Sequence, residues 1–285
     1  MNNNKSTIIG WILIFAVMVG FIWMNQPSEE QLAEQARLRA VQDSIALAET
    51  QKVIDQAVAE ANYNHTLSQD STSALFLAAQ GEEKEFILEN EVVRLTFSTR
   101  GARVTSAILK DYTNQEGLPL ELFNAEDESI NFMLDGKNEN IKTEKLYFQP
   151  VVVTDSTLVF RMPVSTGHLD FSYRLLPESY MLNFTIQAHG LQNFFPSSMK
   201  TMNVDWAQKV RQQEKGYTFE QRYTTLTYHT EKETEHLSEI KTQSEELVGV
   251  EWIAFKDQFF SSIFIADQQF KTAEIKSSTI NEGSG

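Results

Sequence analysis

The sequence contains no cysteine, which excludes a disulfide framework and any zinc site built on thiolates. Clusters of positive charge are also missing. The 24 Lys and Arg residues are scattered among 39 acidic ones, for a formal charge of −15. A nucleic-acid binder neutralises phosphates with grouped cations, so that class is excluded; the acidic excess favours solubility and repulsion from anionic lipid. The usual catalytic signatures are absent too. There is no Gly-rich phosphate loop, no G-x-S-x-G elbow and no H-E-x-x-H pair, and no cofactor is expected. Strand and helix patterns do not alternate as βαβ, which argues against a parallel nucleotide-binding sheet, and no internal repeat is visible. Long hydrophobic runs are lacking as well, with one exception.

That exception is Ile8 to Met24, IIGWILIFAVMVGFIWM, seventeen residues without a charge. As a helix it would span roughly 26 Å, close to the ~30 Å hydrocarbon thickness of a bilayer. Its apolar character on every face, at the N-terminal end, speaks against a buried core helix. A cleaved signal peptide is the rival reading. Signal peptides carry shorter apolar runs with a small-x-small site directly after them, whereas here Asn25-Gln26-Pro27-Ser28-Glu29-Glu30 follows and the nearest A-x-A is Ala46-Leu47-Ala48. The expectation is therefore an uncleaved anchor over 8–24. Lys5 and the amino terminus precede it, and Glu29 and Glu30 follow, so residues 1–7 are expected in the cytoplasm and 25–285 on the far side.

Residues 29–61 are rich in Ala, Glu, Gln and Leu and free of Gly and Pro, a composition with strong helix propensity. Apolar positions recur at Val41, Ile45, Ala48, Ile54, Ala57, Val58 and Ala61. That narrow stripe fits a solvated helical stalk, with a short coiled coil or partner-binding helix as the alternative. Residues 62–81 gain Ser, Thr, Asn and Asp and lose periodicity, which predicts a flexible linker. The stalk and linker thus occupy 25–81, and a folded domain over 82–285 is expected.

From there the pattern has period two. Val93, Leu95 and Phe97 alternate with polar residues, as do Leu169, Phe171, Tyr173 and Leu175, and then Leu182, Phe184 and Ile186. Such alternation predicts half-buried strands, and Pro177-Glu178-Ser179 between the last two predicts a hairpin. Further strands are expected at Glu85–Leu88, Ser129–Leu134, Leu158–Met162, Tyr223–Tyr228 and Glu251–Ile265. So many short strands, separated by turns such as Thr113-Asn114-Gln115-Glu116-Gly117, imply an antiparallel sandwich or a pair of packed sheets.

Three stretches carry a family resemblance: ENEVVRLTFSTRGARVTSAILKDY (89–112), LDFSYRLLPESYMLNFTI (169–186) and VEWIAFKDQFFSSIFIA (250–266). In this order, behind an anchor and a polar stalk, they resemble the large periplasmic domain of the bacterial YidC/Oxa/Alb family of membrane protein insertases. The resemblance implies an all-β antiparallel supersandwich of mutarotase-like type. It also implies a place in the inner membrane of a Gram-negative-type envelope, with the Sec translocon, its accessory subunits and nascent membrane proteins as partners. Family members often have a Gly pair where this chain has Gly101-Ala102, from which residue 102 is expected not to need a positive φ. The resemblance further implies that insertion is the work of a five-helix membrane core with a polar groove that holds an Arg. After Met24 the longest apolar stretches, 247–255 and 259–266, are too short and polar to cross a bilayer, so no residue here inherits that groove's role.

Candidate site residues are few. Trp252, Phe255, Phe259 and Phe260, and Phe194 and Phe195 in the loop before Pro196, could line a hydrophobic cleft or partner surface, although core packing is the default for such residues. Within YHTEKETEHL, His229, Glu231, Glu233 and Glu235 would share one strand face; a solvated edge strand is preferred there over a metal site, and no metal ligands are assigned. His168 and His189 flank the predicted hairpin, as a mutarotase-like acid/base pair or as ordinary strand-end residues. Asn183-Phe184-Thr185 matches a glycosylation sequon but lies within a predicted strand. The domain is expected to be a non-catalytic docking module of an insertase, the alternative being a carbohydrate-binding module or a mutarotase-like enzyme.

Overall fold

The computed structural model describes residues 68–135, 140–196, 201–238 and 242–278, together with isolated positions 11, 15, 37, 51, 54 and 58. The expected anchor over 8–24 and stalk over 29–61 lie outside the described residues, apart from those six positions.

The alternating segments become strands, in chain order β1 (Glu85–Glu89), β2 (Val93–Ser98), β3 (Arg103–Thr113), β4 (Pro119–Phe123), β5 (Glu128–Asp135), β6 (Asn140–Lys142), β7 (Gln149–Val153), β8 (Thr157–Val164), β9 (Gly167–Leu175), β10 (Leu182–His189), β11 (Asn203–Gln208), β12 (Thr225–Thr230), β13 (Thr234–Ser238), β14 (Gln243–Lys256) and β15 (Ser261–Ser277). They form four sheets of order β1-β2-β3-β4, β10-β9-β8-β7, β11-β5-β6 and β13-β12-β14-β15. Every strand pairing is antiparallel. The fold is all-β, as the alternation implied.

The first two sheets are hairpin meanders that share one core. β8 buries Leu158, Phe160, Met162 and Val164, and β9 buries Leu169, Phe171, Tyr173 and Leu175. Against them β2 places Val93, Leu95 and Phe97, all buried. Phe97 meets Tyr173 with ring centroids 4.8 Å apart, and Phe86 meets Phe160 edge-on at 5.8 Å. The third sheet joins the same core through Phe132, 5.2 Å from both Phe171 and Phe184. Each fully buried Phe contributes roughly 1.5–3 kcal/mol through removal from water. A second cluster lies in the fourth sheet, where Leu226, Tyr228, Leu237, Val250 and Ile275 are buried together.

The predicted hairpin over 169–187 is present, with Leu175 opposite Leu182. The strand expected from Tyr223 begins at Thr225 instead, because Gln221–Tyr223 forms a 3-10 turn. The Glu251–Ile265 segment is two strands joined at Asp257, whose side chain accepts the backbone N–H groups of Phe259 and Phe260 at 2.7 and 2.6 Å. Both strands run well beyond the predicted limits.

Two further expectations are corrected. Ala102 does adopt a positive φ, of 50°, although an L side chain there is strained. The conformation is held from outside: Ala102 is fully buried, and its carbonyl accepts the Tyr173 hydroxyl at 2.5 Å. Gly101, at φ 76°, leaves no alternative, since a Cβ there would lie 2.9 Å from the Glu144 Cα. The packed region also starts earlier than Glu82. Leu75 and Ala78 are buried, and the carbonyls of Ala74 and Ala78 accept the N–H groups of Ser165 and Tyr147 at 2.9 and 2.7 Å. Small and apolar residues in 74–79 thus anchor a segment whose Ser/Thr content signalled a linker.

Candidate functional site: an inter-sheet cleft

Between the third and fourth sheets lies a cleft of about 1480 Å³. Its aromatic wall arises from strand alternation. On β11, Val204, Trp206 and Gln208 are half-buried while Asn203, Asp205 and Ala207 are exposed. Trp206 reaches across to Phe255 of β14 at 4.5 Å and Phe264 of β15 at 5.8 Å, both edge-on. Phe264 in turn meets Phe270 at 5.4 Å. Aromatic pairs in these geometries add about 0.5–1.5 kcal/mol each beyond their buried area.

The strands that bound the cleft are sheet edges. β11 and β15 each stand at the end of their sheet. Consecutive residues of both, 203–210 and 269–278, line the opening, so backbone as well as side chains face it. The Gln208 Oε1 is buried there with no hydrogen-bond partner among the described residues.

The polar side of the cleft holds a buried ion pair. Arg103 Nη1 lies 3.1 Å from Glu128 Oε2 and 3.2 Å from the Glu128 carbonyl oxygen. Burial pushes the Glu128 carboxyl up to about 7 from its ordinary 4.5, and the Arg103 charge and hydrogen bond only partly oppose this. Desolvation exceeds the attraction because one guanidinium contact replaces a full hydration shell. Beside it, Arg211 binds Asp127 through Nε and Glu121 through Nη1, the latter at 2.6 Å.

Of the six aromatic residues singled out in the sequence, only Phe255 lines the cleft. Trp252, three residues away on the same strand, faces the other side and stacks on His229 at 5.6 Å; residues an odd number apart point to opposite faces. Phe260 packs on Tyr112 at 5.1 Å, Phe259 is 65% exposed in the turn, and Phe194 packs on Phe195 at 5.2 Å in the loop after β10. The cleft residues the sequence reading did not select are Trp206, Phe264 and Phe270. Trp206 had a signal in the period-two run Val204, Trp206, Gln208. The others did not, because the register shift between Val250 and Trp252 reassigns the faces of β15.

The histidines separate in the same way. His229 and His236 sit on the two arms of a hairpin, and Glu231 and Glu233 fall in and beside its turn rather than on one strand face. His229 Nδ1 bonds the Thr234 hydroxyl at 2.8 Å and Nε2 lies 3.9 Å from Glu251. His168 and His189 are direct cross-strand partners with rings stacked at 4.7 Å. Neither lines the cleft. Next to them, Arg161 clamps Asp170 through both carboxylate oxygens at 2.8 and 2.7 Å and holds it below the usual carboxylate range, burial opposing.

The domain is thus of the antiparallel all-β sandwich class, with an open cleft that has an aromatic wall and, among the described residues, two strand edges without a ladder partner. The family model described as the YidC periplasmic domain matches residues 86–284, and the chain belongs to that family. Among curated relatives, the membrane protein insertase YidC of Phocaeicola vulgatus is 49% identical over 285 residues, covering 99% of this chain and 46% of the relative. Those of Bacteroides fragilis and Porphyromonas gingivalis are 39% and 33% identical over 288 and 291 residues, again covering 99% of this chain and 46% of theirs. The chain spans about half the length of the curated relatives it matches.

Proposed function

We propose that the chain is the anchored periplasmic part of a membrane protein insertase, and that its β-domain is a non-catalytic docking module for exported polypeptide. In this reading residues 8–24 cross the inner membrane with 1–7 in the cytoplasm, a stalk follows, and the sheets form a mutarotase-like supersandwich. The domain serves nascent membrane proteins and the Sec translocon with its accessory subunits. The family membership supports the insertase context. The observation that carries the docking role is the pairing of an aromatic wall with two unpaired strand edges in one cleft. An extended segment laid along β11 or β15 would gain main-chain hydrogen bonds from the edge and place alternate apolar side chains on Trp206, Phe255 and Phe264. The remaining surface aromatics, Trp252, Phe259, Phe260, Phe194 and Phe195, are assigned to packing or to a separate partner surface.

The test is site-specific photo-crosslinking in the membrane-embedded insertase during synthesis of an inner-membrane protein. A photoreactive residue at Ala207 or Lys271, on the two edges, is expected to give adducts with the nascent chain, and one at Val152, on β7 far along the fold, is not. Equal yields at all three sites would overturn the cleft assignment. Saturable heats on titration with mono- or disaccharides, abolished by Trp206→Ala, would replace it with a carbohydrate-binding role.

A further inference from the structure

We propose that His168, His189 and Asp170 form a site for one borderline divalent metal ion, of which Zn2+ is the representative, on the outer face of the second sheet. The inner face of β9 is set by Leu169, Phe171 and Tyr173, all buried in the core. His168 and Asp170 therefore share the opposite face, and His189 stands directly across from His168 on β10. One ligand atom from each of the three residues can be chosen so that all lie within 4.8 Å of one another. Metal binding would require side-chain rotations that close that spacing to the roughly 3 Å that separates ligands bonded at about 2.0–2.2 Å.

The surroundings supply what such a site needs beyond its ligands. Asp170 is nearly buried, and Arg161 fixes its plane through one hydrogen bond to each oxygen. Each oxygen keeps a second lone pair for a metal, and ligating carboxylates are commonly oriented by such a partner. The approach of His189 to His168 depends on Gly167. A Cβ there would lie 2.0 Å from the His189 carbonyl oxygen, so only glycine permits the strand end to close. Two imidazoles and one carboxylate with open positions suit Zn2+, Co2+ and Fe2+ rather than Ca2+ or Mg2+, which favour all-oxygen shells. β10 is the edge of its sheet, and among the described strands its ladder partner is β9; a bound ion would clip it more firmly to that neighbour.

The experiment is calorimetric titration of Zn2+ into the untagged, metal-stripped full chain in mild detergent, with Co2+ absorption as a second probe of imidazole ligation. One equivalent is expected to bind at micromolar free Zn2+ and to raise the Tm. His168→Gln and His189→Gln should each weaken binding by at least about 10-fold, as ligand loss exceeds the effect of losing an outer partner. His189 is exposed, so its variant should keep the metal-free Tm. The double variant His229→Gln/His236→Gln should bind as the parent does. Absence of saturable binding, or binding unchanged in His189→Gln, or binding lost only in the double variant, would each overturn the site.

Discussion

Replacing Glu128 by Gln should remove a pH-dependent penalty from the fold. The Glu128 side chain is 3% exposed and has one ion-pair partner, Arg103, at 3.1 Å. Burial raises its pKa from 4.5 to about 7, so between those values the folded protein binds a proton that the unfolded chain has released. Stability from this group is complete below about pH 4.5 and is lost as pH rises through about 7. At about 1.4 kcal/mol per pH unit the gap is worth roughly 3 kcal/mol. For a domain of this size 1 kcal/mol moves Tm by about 2–4 °C, giving a change of roughly 6–12 °C. Gln resembles the protonated carboxyl in shape and charge. The variant and the parent should therefore melt together near pH 4.5, and the variant should melt several degrees higher at pH 8. Other carboxyls shift as well, Asp257 and Glu220 upward by burial and Asp170 downward beside Arg161, so both proteins share a background pH dependence and only their difference reports Glu128. Thermal unfolding followed by tryptophan fluorescence across pH 4.5–8 measures it. Parallel profiles, or a variant less stable than the parent at pH 8, would show that Arg103 outweighs burial and refute the reasoning.

Two further outcomes test the core and the backbone. Phe171→Ala, at a fully buried position touching Phe132, Phe148 and Phe184, should cost about 3–5 kcal/mol in denaturant unfolding, whereas Trp206→Ala on the half-buried cleft wall should cost clearly less. Gly101→Ala should lose about 2 kcal/mol or more, because its φ of 76° disfavours a side chain and the new Cβ meets the Glu144 backbone; a Tm equal to the parent's would mean that loop can yield.

The strands with unbroken alternation were readable because one of their faces is buried along its whole length. β8 alternates half-buried and buried residues from Thr157 to Val164 without exception, and β2 and β9 do nearly the same. The strands that escaped notice lack that constraint. β7 is exposed at every position and includes Pro150, which an edge strand tolerates and a central one does not. β11 carries Asp205 beside Trp206 and owes its existence to pairing with β5, where Asn203 lies opposite Met133, seventy residues earlier. No local pattern encodes such a partner.

The same division runs through the sites. His168 and His189 could be named from the chain, whereas Asp170 could not; a hairpin register that follows from Leu175 facing Leu182 brings the two imidazoles together. The cleft could not be read that way. Its wall combines residues from β11, β14 and β15, and the faces of the last two turn on a register shift between Val250 and Trp252. Ala102 makes the point at one residue: it has a left-handed backbone, and its carbonyl accepts the hydroxyl of Tyr173, 71 positions away in sequence.

What the sequence by itself determined is the charge balance, the single apolar run and the all-β class, since each depends on composition or on a two-residue period along one strand. Only the tertiary structure decided which strand edges stay unpaired, which aromatic faces meet across the cleft, and which acid loses its water. Those depend on contacts between distant segments, where the free energy of burial is shared and no one segment carries the signal.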